Sequence, residues 1–437
     1  MPEEPVEATI ESLSDEGRGI AHVDGRAVFV DQALAGERVR FRYSRLTSKI
    51  AEGRAVEIIE GADSRVQPGC SAFERCGGCS LQHMQGDAQL ALKQQALLKH
   101  LGHIGNVEPA HVLEPITGET WGYRSKARLG VRYVAKKDRV LVGFRERGSS
   151  FITETQSCEI LHPSVGAIIS ELAESIARLE LKRRIPQIEV AVGDDQTVLV
   201  FRHLDDMSVH DREILTALAK RHGLTIMLQD GPPNELEPLW PPEVRPLYYV
   251  LENFDVRIEF QPGDFTQVNY GINRKMIGRA IELLQLDSGD RVLDLFSGLG
   301  NFTLPIATRA GSVVGVEGDA ELVRKGTENA RRNGIENASF FAADLNEEPA
   351  GAPWLKDGYD KVLVDPPRSG AEFILPHIAA SGARRLVYVS CHPASLARDA
   401  GILVHEHGFA LKGAGVMDMF PHTGHVESIA LFERKAG

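Results

Sequence analysis

Residues 291–307, RVLDLFSGLGNFTLPIA, restrict the possible folds of this chain more than any other stretch. A short apolar run meets a glycine turn and passes into a second apolar segment, the pattern of a buried strand feeding a helix. The same grammar returns in SVVGVEGD (312–319), ASFFAADL (338–345), YDKVLVDPPR (359–368) and RRLVYVSCHP (384–393). Strands buried on both faces and joined by helices form a parallel, doubly wound sheet, here from about Asp264 onward. Ligands of such sheets lie beyond the carboxyl ends of the strands. There the sequence places Asp294, Glu317, Asp344, Asp365 and Cys391.

Gly298-Leu299-Gly300 lets the backbone approach a ligand closely at a helix start. A dinucleotide fingerprint requires a third glycine where Thr303 stands, which argues against NAD or FAD. Glu317 ends the next strand, where an acid can hold the two ribose hydroxyls of a nucleoside. With the D-x-F-x-G-x-G turn before it, the pattern points to S-adenosylmethionine, and Asp344 is placed to accept from its adenine amine. Asp365-Pro366-Pro367 resembles the motif of methyltransferases that modify exocyclic amines, but Arg368 follows it, and Ser390-Cys391-His392-Pro393 lies one strand later. An amine needs no thiol. C5 of uracil does, because it becomes nucleophilic only after a thiolate has added to C6. A base must then remove the C5 proton. Glu427, which opens the last apolar strand at the same sheet end, is the candidate base.

Cys391 is one of five cysteines. Cys70, Cys76 and Cys79 form C-x5-C-x2-C, and Cys158 stands apart. Four thiolates suit either tetrahedral zinc or an iron–sulfur cluster. The spacing does not separate the two, although the missing second C-x2-C pair of a zinc ribbon favours the cluster. The N-terminus, MPEEPVEATIESL, lacks the basic and apolar regions of a signal peptide. No apolar run approaches the roughly 18 residues of a membrane span. The expectation is a cytoplasmic chain with no membrane partner, in a compartment that disfavours disulfides.

The net charge of −12 argues against nucleic acid, yet two segments reverse it locally. Arg38, Arg40, Arg42, Arg45, Lys49 and Arg54 stand against Glu52 alone. Nine cations between Arg124 and Arg147 stand against Asp138 and Glu146. Such segments suit a confined phosphate-binding surface. The first lies among five short strand patterns (6–13, 19–24, 26–31, 37–45 and 53–60), the grammar of a small OB-type barrel. Leu90, Leu97, Leu98 and Leu101 predict a helix stopping at Gly102. Helices near 165–178 and 211–221 and a hairpin across 188–204 make a middle α+β unit.

Taken together, these motifs resemble the bacterial 23S rRNA (uracil-5)-methyltransferases with an N-terminal TRAM domain, over nearly the whole chain. The resemblance implies a multidomain protein. Residues 1–68 are the TRAM barrel. Residues 69–92 and 125–262 are a central α+β domain carrying the four-cysteine cluster. Residues 93–124 and 263–437 are a Rossmann-like α/β methyltransferase domain. It also implies a 4Fe–4S cluster on Cys70, Cys76, Cys79 and Cys158. S-adenosylmethionine would be bound by Gln267, Phe296, Asn301, Glu317, Asp344 and Asp365. Cys391 would be the nucleophile and Glu427 the general base, acting on a flipped-out uridine of 23S rRNA, with the chain a monomer. The rival readings are the same chemistry on tRNA or another rRNA uridine, and a non-catalytic RNA-binding iron–sulfur protein.

Overall fold

The computed structural model describes residues 4–232, 235–347, 349, 351–356 and 358–434; Pro233 and Asn234 of the proline-rich stretch lie outside the described residues. The chain begins with β1 (Val6–Thr9), β2 (Ser12–Leu13), β3 (Gly19–Val23), β4 (Arg26–Asp31), β5 (Arg38–Leu46) and β6 (Ala51–Glu60). Their order is β1-β5-β6-β4-β3-β2. The first sequence pattern thus becomes two strands. β1 pairs with β5 and β2 with β3, and the break between them buries Ile10 completely in the barrel core. One bent segment serving both ends of the sheet closes it and removes its open edges.

After the cysteine loop come α1 (Gly86–His103) and the short β7 (His111–Val112). The middle sheet, ordered β13-β12-β11-β10-β8-β9, is built from β8 (Lys126–Val134), β9 (Arg139–Gly143), β10 (Gln187–Val192), β11 (Thr197–Arg202), β12 (Thr225–Gln229) and β13 (Glu237–Trp240). It carries α2 (Pro163–Gly166), α3 (Ile169–Ala177) and α4 (Val209–His222) on one face. Sequence spacing predicts one helix across 165–178, but the structure breaks it. The Gly166 carbonyl accepts from the Cys158 amide at 2.9 Å, and the Ser170 amide donates to Gln156 O at 3.2 Å. A side chain at Gly166 would stand 2.4 Å from Cys158 O. The interruption therefore seats Cys158.

The hairpin β14 (Leu247–Leu251) and β15 (Val256–Phe260) buries Tyr249, Ile258 and Phe260 in the same core as Ile272 and Met276 of α5 (Tyr270–Leu284). Beyond α5, β16 (Arg291–Leu295), α6 (Thr303–Ala307), β17 (Ser312–Glu317), α7 (Ala320–Arg332), β18 (Ala338–Ala342), β19 (Lys361–Val364), α8 (Leu375–Ala380), β20 (Arg385–Ser390), α9 (Pro393–His405), β21 (Phe409–Met417) and β22 (Glu427–Arg434) complete the last unit. The sheet order is β18-β17-β16-β19-β20-β22-β21-β7, parallel from β18 to β20, with β22 antiparallel to β20. α1 packs on α9, burying Leu97 and Leu101 against Leu396 and Ala400. Gly105 and Gly401 make this approach possible, since a Cβ at Gly105 would meet Ala397 O at 2.3 Å. β7 extends the sheet beside β21.

Candidate active site at the strand ends

Strand register brings the site together. Leu295 pairs with both Val316 and Val364, so the next residues, Phe296, Glu317 and Asp365, form one row across three parallel strands. Ser390 pairs with Ser428 in the antiparallel β20–β22 ladder. Continuing that ladder by one residue sets Cys391 opposite Glu427, and side chains of opposed residues share a face. The half-buried Cys391 thiol is pushed up to about 11, first by burial, then by the carboxylates of Glu427 and Asp365, with Arg368 pulling it down. Burial, reinforced by Asp365, lifts Glu427 to about 8, again against Arg368. Burial also lifts Asp365 to about 7. Thiol, carboxylate and guanidinium thus sense one another at one end of the sheet.

The glycine turn takes left-handed φ at Phe296 (+64°), Gly298 (+54°) and Gly300 (+92°). A side chain other than glycine's rarely adopts this region, so strain at Phe296 marks a functional turn. A Cβ at Gly298 would meet nothing within 4 Å, whereas one at Gly300 would press on Leu304 and Phe340. Glu317 accepts from the Gly298 amide at 3.0 Å and the Asp319 amide at 3.1 Å, each through a different oxygen. Each oxygen keeps a second acceptor site, which suits a pair of ribose hydroxyls. Asp294 is fully buried and lifted to about 7, chiefly by burial. Its Oδ2 accepts from Thr303 at 2.5 Å, while its Oδ1 and Ser297 Oγ have no partner among the described residues. Orphaned buried oxygens at a glycine turn fit an incoming cationic or N–H-bearing group, such as the amino acid end of S-adenosylmethionine.

The remaining sequence candidates are placed differently. Asp344 is exposed beyond β18 and accepts from Asn346. Gln267 is half-buried in the segment before α5, beside the exposed Phe265. The Asn301 amide is engaged by Tyr249, which donates at 2.8 Å, and by Asn273 in both directions at 3.0 Å. Sequence reasoning did not find this pair of partners. It also missed Lys93, which is 1% exposed and donates to Asp418 Oδ1 at 2.7 Å and Phe420 O at 3.0 Å on the segment leading into Glu427. The signal was there: Lys93 lies four and eight residues before Leu97 and Leu101, on the apolar face of α1. Arg368, read only as an odd successor to the proline pair, donates to His425 Nδ1 at 3.3 Å.

The other four cysteines converge elsewhere. Cys70 and Cys158 pack with Cys79 against Phe73, Tyr123 and Ile160. Burial pushes Cys79 to about 12 and Cys158 to about 11, and Cys70 and Cys76 reinforce both shifts. Cys76 accepts from the Gly78 amide at 3.4 Å. Yet among the described residues no group of three or more His, Cys, Asp or Glu is arranged to hold a metal ion. A single zinc would draw its sulfurs to about 3.8 Å of one another, as tetrahedral bonds of about 2.3 Å require. The four thiols thus gather in one region, but the described residues show no coordination geometry of the kind the expected iron–sulfur site calls for.

Several of the expected phosphate-binding cations are already paired. Arg38 bonds Glu7 and Glu60, Arg40 bonds Glu57, Arg128 bonds Glu189, and Lys137 and Arg139 bond Glu154. Acids on adjoining strands, and Glu154 in a loop after β9, are invisible in a local charge count and supply the partners. Arg45, Lys49, Arg132 and Lys136 remain exposed.

Residues 3–56 match the model of the TRAM domain, 286–386 that of a methyltransferase domain, and 354–435 that of tRNA (uracil-5-)-methyltransferase. A 23S rRNA (uracil(1939)-C(5))-methyltransferase RlmD of Alkalilimnicola ehrlichii is 52% identical over 100% of this chain and 98% of its own length. One of Nitrosococcus oceani is also 52% identical, over 99% and 97%. The tRNA (uracil-54, C5)-methyltransferase of Pyrococcus abyssi, solved with S-adenosyl-L-homocysteine, shares the fold at a TM-score of 0.76 and 22% identity, over 98% of this chain and 100% of that one.

Proposed function

The chain belongs to the RlmD family of 23S rRNA (uracil-C5)-methyltransferases, and from that premise we propose how its residues transfer a methyl group from S-adenosylmethionine to a uridine at the position equivalent to 1939. The observation that carries the mechanism is the nearness of Cys391 and Glu427, each one residue beyond the Ser390–Ser428 pair, with the Glu427 carboxylate raising the Cys391 thiol. Bound at the glycine turn, the cofactor supplies an electrophilic methyl. The Cys391 thiolate adds to C6 of the flipped uracil, and the ring electrons shift to C5. C5 takes the methyl, Glu427 takes the C5 proton, and the restored C5–C6 double bond expels the thiolate. Arg368 favours the charged form of both groups.

Glu317 holds the ribose, Asp294 and Ser297 the amino acid end, and Gln267, Phe296, Asn301, Asp344 and Asp365 line the rest of the cofactor site. Cys70, Cys76, Cys79 and Cys158 hold a 4Fe–4S cluster. Their convergence supports this. The cluster's place is structural, since the last-strand chemistry needs no electron transfer. The domains follow 1–68, 69–92 with 125–262, and 93–124 with 263–437; α1 runs across the 92/93 boundary, and its packing on α9 with β7 on β21 supports the inserted piece. The enzyme acts as a cytoplasmic monomer. Among the described residues no helix is long and apolar enough to cross a membrane. Tritium released from 5-tritiated uridine in a 23S rRNA fragment, dependent on S-adenosylmethionine, tests the reading. Methylation without tritium release contradicts C5 as the target.

A further inference from the structure

A cavity of about 310 Å³ lies between β6 of the barrel and the cysteine loop, walled by Val56, Arg65, Gln67, Cys70, Phe73 and His83. Of its three charged side chains, Arg65 and Glu57 are already paired and Glu74 is an exposed carboxylate. Arg65 donates to Glu37 at 2.5 and 2.7 Å and to Gln32 O at 2.8 Å. Glu57 on the opposite wall is paired with Arg40 at 2.7 Å. A phosphate therefore gains little here. His83 is unspent: it is 1% exposed, and neither ring nitrogen has a partner among the described residues. Burial holds it near 4, so at neutral pH the ring offers one N–H and one lone pair. Beside it lies the Phe73 ring, 5.5 Å between centroids, with the Arg147 guanidinium 5.8 Å from the Phe73 centroid.

We propose that this seam pocket takes one unstacked base of the RNA substrate, whose edge hydrogen-bonds one ring nitrogen of His83 against the Phe73 wall. A flat, uncharged ligand with a hydrogen-bonding edge matches what the pocket leaves unsatisfied, and RNA is read through such splayed bases. The volume admits a base with part of its sugar. The pocket touches Cys70, so the occupant also braces the cysteine loop against the barrel. The proposal builds on the rRNA reading above.

The test compares the full-length protein with His83→Phe and Val56→Trp, using one 23S rRNA fragment. His83→Phe keeps the ring and removes both nitrogens. Val56 is 52% exposed, so its replacement by tryptophan fills the pocket from the barrel side without entering a core. Both variants are expected to raise the Kd and the KM for RNA about tenfold, in the range of lost neutral hydrogen bonds. The kcat, the KM for S-adenosylmethionine and the iron content should stay at wild-type values. His83→Phe should also melt no lower than wild type, because it removes two unpaired buried polar atoms. Wild-type RNA affinity in Val56→Trp overturns the proposal, as does RNA loss confined to a His83→Phe that melts early. Failure of the wild type to methylate the fragment strikes the proposed function instead, and the Kd values still decide the pocket.

Discussion

Two thiol sites in one chain differ in what surrounds the sulfur. At the cysteine loop, burial raises Cys70, Cys79 and Cys158 and neighbouring thiols reinforce each shift, with Phe73, Tyr123 and Ile160 as walls. At β20, burial also raises Cys391, but its neighbours are Glu427, Asp365 and Arg368. The first setting suits the shared group proposed for its four sulfurs. The second gives it a cation that favours the thiolate and a carboxylate placed to finish a reaction. Residue type is constant; its chemistry is assigned by the opposing strand.

The largest expected effect separates the sites outright. Cys391→Ala should lose turnover by at least about 10⁴-fold, in the range of a deleted nucleophile, while melting temperature and iron content stay unchanged. Measurable turnover in that variant would dissolve the contrast. Next comes Glu427→Gln, expected to slow release about 10²- to 10⁴-fold and to accumulate a slow-migrating protein–RNA band on a denaturing gel. Absence of that band moves the base elsewhere. Cys79→Ala should act in the opposite sense, with iron and the brown colour lost and the melting temperature lowered. Transfer on a short RNA should fall by no more than about tenfold. Full colour in that variant would break the four-thiol assignment.

The smallest effect concerns pH. Asp294 and Asp365 are raised from 3.8 to about 7, and Glu427 from 4.5 to about 8. A carboxyl raised in the folded state binds its proton more tightly there than in the unfolded chain. The stability it contributes is full below its unfolded value and is lost as pH rises through the folded one. Glu427→Gln should therefore match wild type in stability near pH 4 and exceed it by about 5 kcal/mol at most near pH 8.5, read from melts without cofactor. An advantage that grows toward low pH would mean that Glu427 is ionised in the fold.

Much of the catalytic end was legible because chemistry there follows short motifs on consecutive strands. The D-x-F-x-G-x-G turn, Glu317, the proline pair and Cys391 all sit where strand grammar put them. What escaped depends on distant segments. The first barrel strand splits because it must pair with β5 and β3 at once. The helix at 165–178 breaks because Cys158, from an earlier loop, takes the Gly166 carbonyl. Asn301 is engaged by Asn273 and Tyr249, 28 and 52 residues away, and Lys93 finds Asp418 across 325 residues. The pairing of arginines in the basic segments escaped for the same reason, since their acids come from adjoining strands.

Mass spectrometry of the enzyme incubated with S-adenosylmethionine and a 23S rRNA fragment carrying 5-fluorouridine at the target tests the central claim most directly. Fluorine cannot leave as a proton does, so the reaction should stop after methyl transfer, with a methylated fluorouracil nucleotide bonded to the peptide that contains Cys391. An unmodified Cys391 peptide alongside methylated RNA, or the same adduct on a cysteine of the 70–79 loop, would contradict it.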